Sequence, residues 1–167
     1  MERVQFAEQS SFHQAAERLF AEQKARIISL LPAAQVEHVG STAVPGSLTK
    51  GDLDIQVRVA KADFERAVEL LSELYPRNEG NLQTDSFCSF QADQLLLPLG
   101  VQLTAFGSEY DFFWKFREVM LANPSYVDQY NQLKRHFQGN EMDAYRIAKH
   151  EFFQTLMQSL EFQALTE

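Results

Sequence analysis

The stretch VEHVGSTAVPGSLTKGDLDIQVRV, residues 36–59, decides how this chain folds. It opens on a short apolar alternation, breaks at Gly40-Ser41-Thr42 and again at Val44-Pro45-Gly46, and closes on a strict alternation over 52–59. Glycine, proline and serine in those places punctuate the backbone. Alternate residues of a strand share a face, so Leu53, Ile55, Val57 and Val59 form one side and Asp52, Asp54, Gln56 and Arg58 the other. Two readings of the polar side compete. In one it is the wet face of a half-buried strand. In the other, Asp52 and Asp54, roughly 6.5–7 Å apart along the backbone, share a hard cation. Mg²⁺ is commonly held by one or two carboxylates together with phosphate oxygens and water.

The upstream turn favours the cation. Gly40 lets backbone approach a ligand closely. Ser41 and Thr42 offer hydroxyls and start a helical turn whose free N–H groups suit a phosphate. Lys50 stands beside the acidic pair and neutralises further phosphate charge.

Outward from this stretch, the pattern predicts a helix over 10–31, with Ser10 or Ser11 as its cap and Pro32 as its end. A short strand follows over 35–39. Beyond the central stretch come a helix over 61–74 and two strands over 86–92 and 95–106, joined tightly at Asp93-Gln94. The last third reads as helices over 109–122, 124–138 and 142–164, with Pro124 in a favourable first turn. This order implies an α+β fold, with a small mixed sheet and helices packed on it. The 167 residues suggest a single domain, divided into a sheet-containing core over 1–107 and a helical part over 108–167.

Charge and composition exclude several classes of function. The formal charge of −8 argues against broad nucleic-acid binding. Cys88 is the sole cysteine, so neither an intramolecular disulfide nor a Cys-x-x-Cys zinc site is available. The opening residues MERVQFAEQSSF lack the apolar run of a signal peptide. The longest apolar run, 95–101, contains proline and glycine and falls short of the roughly 20 residues of a membrane helix. A cytoplasmic location is expected.

The segment VGSTAVPGSLTKGDLDIQVRV resembles the core of the nucleotidyltransferase superfamily, whose pattern is Gly-Ser followed by Asp-x-Asp or Asp-x-Glu. More closely it resembles the GrpB (UPF0157) family, for which Gly40-Ser41-Thr42-x-Val44-Pro45-Gly46 is a specific signature. The likeness extends through FGSEYDFFWKFREVMLANPSYVDQYNQLKRHF and DAYRIAKHEFFQTLM, nearly the whole chain from Val36 onward. The resemblance implies a nucleotidyltransferase-type sheet. It further implies a Mg²⁺ (or Mn²⁺) ion held by Asp52 and Asp54, and a nucleoside triphosphate cradled by Gly40, Ser41, Thr42 and Lys50. Lys134, Tyr145 and Lys149 would close over the phosphates from the helical part. The reaction implied is transfer of a nucleoside monophosphate to an acceptor, with Asp52 and Asp54 as the catalytic pair.

The chain departs from the pattern of the family it resembles in two ways. Many members carry Lys-Pro, two aliphatics and a single Asp where this chain reads Lys50-Gly51-Asp52-Leu53-Asp54. Active superfamily members add a third carboxylate on a later strand, where this chain offers Gly100, Gln102 and Thr104, and no histidine of the kind many relatives carry there. Asp85, Asp93 and Glu37 are the remaining candidates. The alternatives are a non-catalytic nucleotide or metabolite sensor and a protein-interaction module built on the aromatic-rich helices.

Among other residues, His38 is expected as a hydrogen-bonded structural histidine, Glu37 as exposed, and His136 and His150 as surface residues. Lys134, Arg135, Tyr145, Arg146 and Lys149 either meet phosphates or form a solvated helix face; Tyr145 and Lys149 share a side at i, i+4. Trp114 and the phenylalanines at 112, 113, 116, 152 and 153 are expected in the core rather than as a base-stacking platform.

Overall fold

The computed structural model describes residues 2–166. A four-stranded sheet runs in the order β2-β4-β6-β5, made of β2 (Gln35–Val39), β4 (Leu53–Val59), β6 (Leu99–Ala105) and β5 (Phe87–Ala92). β4 pairs antiparallel with β2 and parallel with β6, and β5 lies antiparallel on the far edge. The sheet is therefore mixed, and the fold is α+β. A two-residue ribbon joins β1 (Ala7–Glu8) to β3 (Leu48–Thr49).

One face of the sheet buries the aliphatic row of β4. Leu53, Ile55 and Val57 are fully buried there against α1 (His13–Leu30) and α2 (Phe64–Ser72), with Leu99, Val101 and Leu103 of β6 beside them. The α1 residues that enter this core, Ala16, Leu19, Gln23 and Ile27, follow the helical spacing of the sequence.

The other face is not wet. Gln56 and Arg58 are 0% and 3% exposed, because α3 (Phe113–Ala122) and the turn before it cover them. Asp111 accepts from Arg58 Nε at 2.7 Å and Nη2 at 2.8 Å, from Gln56 Nε2 at 2.9 Å and from the Gly107 amide at 2.9 Å. Gln56 Oε1 accepts from the Trp114 amide at 3.0 Å, and the Arg58 guanidinium lies between the rings of Phe106 and Trp114. A buried ion pair is tolerable only when its remaining donors and acceptors are met in this way. The wet-face reading of β4 fails at these two residues.

The helical part holds α4 (Pro124–Phe137), α5 (Met142–Met157) and α6 (Leu160–Gln163) around a second cluster that includes Val119, Val127, Tyr130 and Leu156. Several boundaries differ from the sequence pattern. The 142–164 helix is two helices, broken where Ser159 turns and caps α6 by accepting from the Phe162 amide. α1 begins at His13 after a 3₁₀ turn, and neither Ser10 nor Ser11 caps it. The connection between β5 and β6 spans residues 93–98 rather than two, since Pro98 cannot join the ladder.

The segment before α1 was given no role by the sequence pattern. It forms a strap across the helical part. Val4 exchanges backbone hydrogen bonds with Gly139 and Asn140, the Met142 amide donates to Glu2, and the Phe6 amide donates to Gln138 Oε1. Val4, Met142 and Tyr145 form a small buried cluster beneath it.

Candidate functional site

The Gly-Ser loop is fixed from two sides. Gly40 leaves β2 with φ +77°, and a Cβ there would fall 2.3 Å from Asp54 Oδ2. Only glycine fits both the backbone angle and the space. From above, α4 grips the loop through residues one turn apart. Asn131 accepts from the Leu48 amide and donates to the Gly46 carbonyl, each at 2.8 Å. Lys134 Nζ donates to Ser41 Oγ at 2.8 Å and to the Leu48 carbonyl.

A cavity of about 580 Å³ opens between this loop, Asp52 and Asp54 at the start of β4, and the C-terminal helices. Gly40, Ser41, Lys50, Asp52, Asp54, Lys134, Tyr145 and Lys149 all line it. Thr42 does not. It is 1% exposed, and its hydroxyl donates to the Asp52 carbonyl at 3.1 Å and meets His38 Nε2 at 3.0 Å. Thr42 therefore ties the turn to the start of β4 instead of facing a ligand. Tyr145 is also largely committed, with its hydroxyl 3.0 Å from that of Tyr130. The sequence reading missed Phe6, Arg117 and Tyr130, which all line the cavity, and Gln102, expected on this face of the sheet, lines it too. Tyr130 and Lys134 at i, i+4 carried the available signal, and the Lys134 ammonium sits 3.8 Å from the Tyr130 ring centre.

Asp54 stands opposite Val39 and Gly100 in the ladders, flanked by the two glycines. Burial raises its carboxyl to about 6, Asp52 adds to the rise, and Lys149, Lys50 and Lys134 draw it back. Among the described residues no hydrogen-bond donor meets this carboxylate. Asp52 is more open and lies 3.7 Å from Lys50. Lys134 is 0% exposed, and burial lowers its ammonium to about 7, with Lys149 and Lys50 pushing the same way.

An unpaired, desolvated carboxylate beside a second one fits a hard cation that also takes phosphate oxygens. Among the described residues no third carboxylate joins the pair. β6 presents Gly100, Gln102 and Thr104 on this side, Asp85 pairs with Lys61, Asp93 meets Gln91, and Glu37 is tied to Arg117 at 2.7 Å. Glu37 is thus half-buried rather than exposed. Among the described residues no three His, Cys, Asp or Glu side chains form a metal cage. The donor set suits one cation carried by its ligand.

The aromatic residues divide. Phe112, Phe116 and Phe153 pack on the core and also line the cavity, Phe113 lines it while stacking on Phe87 and Phe112, Phe152 stacks on Tyr130, and Trp114 covers Arg58. His38 is structural, stacked on Phe20, and burial lowers its imidazole to about 4.

Residues 10–159 match the profile of the family described as GrpB protein. The chain belongs to the GrpB family. A UPF0157 protein of Vibrio cholerae is 34% identical over 155 residues, covering 92% of this GrpB chain and 82% of the relative. The crystal structure of GrpB from Enterococcus faecalis matches with a TM-score of 0.68 at 21% identity, over 90% of this chain and 99% of that one. The Cid1 poly(U) polymerase, solved with MgGTP bound, matches with a TM-score of 0.54 at 9% identity, over 74% of this chain and 40% of the polymerase chain. At those identities the likeness concerns the fold, which is of nucleotidyltransferase type. Among the described residues no helix is long and apolar enough to cross a membrane.

Two predictions arise here. Gly40→Ala is expected to cost more than about 1 kcal/mol through backbone strain alone. It should also push Asp54 aside, so both the melting temperature and the occupancy of the cavity fall; an unchanged melting curve would contradict the contact. For His38, the folded value lies below the unfolded one. The unfolded chain therefore binds the extra proton first, and stability is lost as pH drops from about 6.5 toward 4. An NMR titration should show the His38 ring still neutral at about pH 5.5. A His38 midpoint near 6.5 would show that the ring is solvated.

Proposed function

We propose that this GrpB-family chain binds a Mg²⁺–nucleoside triphosphate (Mn²⁺ being the alternative ion) and transfers its nucleoside monophosphate to an acceptor. The observation that carries the reading is the meeting of three features in one cavity: the unpaired Asp54 beside Asp52, the Gly40-Ser41 turn, and the buried Lys134 on Ser41. The Cid1 polymerase, a fold neighbour, was solved with MgGTP. A chain of charge −8 that gathers Lys50, Lys134 and Lys149 around one cavity suits a compact polyanion better than a polymer.

In this reading Asp52 and Asp54 hold the cation, which when bound neutralises phosphate oxygens and sharpens the electrophilic phosphorus. Ser41 donates to a non-bridging phosphate oxygen. Lys134, held by the Leu48 carbonyl and Ser41, meets the phosphates without rearrangement, their charge favouring the ammonium that burial disfavours, and Lys149 supplies a second cation from α5. The acceptor oxygen attacks the α-phosphorus, the bond to the β-phosphate oxygen breaks, and pyrophosphate leaves. Positioning and fixed charge supply the acceleration.

Calorimetric titration with ATP, with and without Mg²⁺, tests this on wild type and Asp54→Ala. Mg²⁺-dependent heat in wild type that vanishes in the variant is the expected result. Equal affinity in both proteins overturns the assignment. The absence of a carboxylate among Gly100, Gln102 and Thr104 favours a second reading, a nucleotide sensor without turnover. It predicts the same binding with no pyrophosphate release for any acceptor offered.

A further inference from the structure

We propose that the aromatic end of the cavity is a stacking platform that takes a large flat ring without reading its edge. The site would then prefer purine over pyrimidine nucleotides and would not distinguish adenine from guanine. This rests on the nucleotide reading above and adds the class of base.

The platform is continuous with the phosphate end. Phe113 and Phe112 lie 4.6 Å apart between ring centres, Phe112 and Phe116 5.3 Å, Phe116 and Phe153 4.6 Å, and Phe153 and Tyr130 5.2 Å. Tyr130 is the ring that carries the Lys134 ammonium, so the aromatic wall begins where the cationic cradle ends. One molecule with an anionic head and a flat body spans both. The cavity volume is that of a single small-molecule ligand.

Among the described residues no polar group is placed as an edge reader on this wall, because those near it are committed or displaced. Arg117 spends its guanidinium on Glu37 at 2.7 Å, the His38 carbonyl at 3.1 Å and Glu118 at 2.9 Å. The Tyr130 and Tyr145 hydroxyls meet each other. Gln102 Nε2 stands beside Gly100, 3.5 Å from where a Cβ there would lie, at the cation end. His150 and Gln154 are exposed at the rim, 3.4 Å from each other. A site built on hydrogen bonds rejects the wrong edge by large factors, whereas stacking tolerates every base and rewards ring area.

The test is calorimetry in Mg²⁺ with ATP, GTP, CTP, UTP and inorganic tripolyphosphate, on wild type and Phe153→Leu. ATP and GTP are expected within about threefold of each other and about fivefold or more tighter than CTP and UTP, the gain that stacking a larger ring supplies. Phe153→Leu should shrink the purine advantage and leave tripolyphosphate binding unchanged; if that variant does not fold, the wild-type series decides alone. A discrimination of about tenfold between ATP and GTP, or pyrimidines bound as tightly as purines, overturns the inference. Tripolyphosphate binding with no gain from any base also overturns it while leaving the phosphate site standing. No binding by any of the five removes both.

Discussion

Asp54→Asn is expected to make the protein more stable at pH 8 while removing its Mg²⁺-dependent binding. The carboxyl of Asp54 is lifted by burial from 3.8 to about 6, so the folded chain holds that proton more tightly than the unfolded chain does. Stability is therefore lost as pH rises from about 3.8 to about 6, and above that the folded state carries the full cost of a desolvated anion. At about 1.4 kcal/mol per pKa unit, and allowing for the open side of the cavity, that cost is about 2 kcal/mol. Asparagine keeps the shape between Gly40 and Gly100 and drops the charge. The melting temperature should rise by roughly 4–8 °C at pH 8 and change little near pH 3.5. Saturating Mg²⁺ with ATP should raise the wild-type value and leave the variant where it is. A variant that melts lower than wild type at pH 8 would mean that Asp54 is already compensated by something in the fold, and the argument for a cation would lose its physical basis.

The second large effect belongs to Asp111→Ala. This change leaves the Arg58 guanidinium, 3% exposed, without its bidentate partner, and also strips an acceptor from Gln56 and from the Gly107 amide. Removing one side of a buried pair costs about 3–5 kcal/mol, because the charge that stays in the interior loses its bidentate carboxylate. Chemical denaturation should show that loss, together with loosening of α3 and hence of the aromatic wall. The double variant Arg58→Met, Asp111→Leu removes both charges and should recover most of the stability. If the double variant is no better than Asp111→Ala, the network contributes through shape and hydrogen bonding to Gln56, not through its charge balance.

The sheet was legible because period-two alternation and glycine-serine breaks are local properties of residues 36–59. The fold type followed directly; the expected strand over 52–59 begins one residue later, so Asp52 stands just before β4 while both aspartates line the cavity. The fate of Gln56 and Arg58 did not follow. They read as solvent-facing until Asp111, more than 50 positions away, was brought onto them, and no periodicity announces such a partner. Thr42 looked like a phosphate ligand by adjacency to Ser41, yet successive residues in a 3₁₀ turn point in different directions, and its hydroxyl went inward to Asp52. The phenylalanines of α3 and α5 carried a core signal that was correct and incomplete. A residue can support a core with one edge and line a cavity with its face, and composition does not separate the two. The break at Ser159 was hidden because serine sits comfortably in a helix and at a cap alike.

The strap formed by residues 2–8 has a consequence for how the molecule is made. Val4, Phe6 and their backbone bonds need Gln138, Gly139, Asn140 and Met142, which leave the ribosome some 130 residues later. At a synthesis rate of about 5–20 residues per second, the strap waits several seconds or more, with Val4 and Phe6 fully exposed, for the loop that receives it. The four-stranded sheet and its aspartates are complete once β6 has emerged, but the cavity gains its Phe6 wall only when the chain closes on itself. In the proposed function, ligand binding is thus a late reporter of folding. A nascent chain ending before residue 138 should protect the sheet amides from exchange while remaining unable to retain nucleotide.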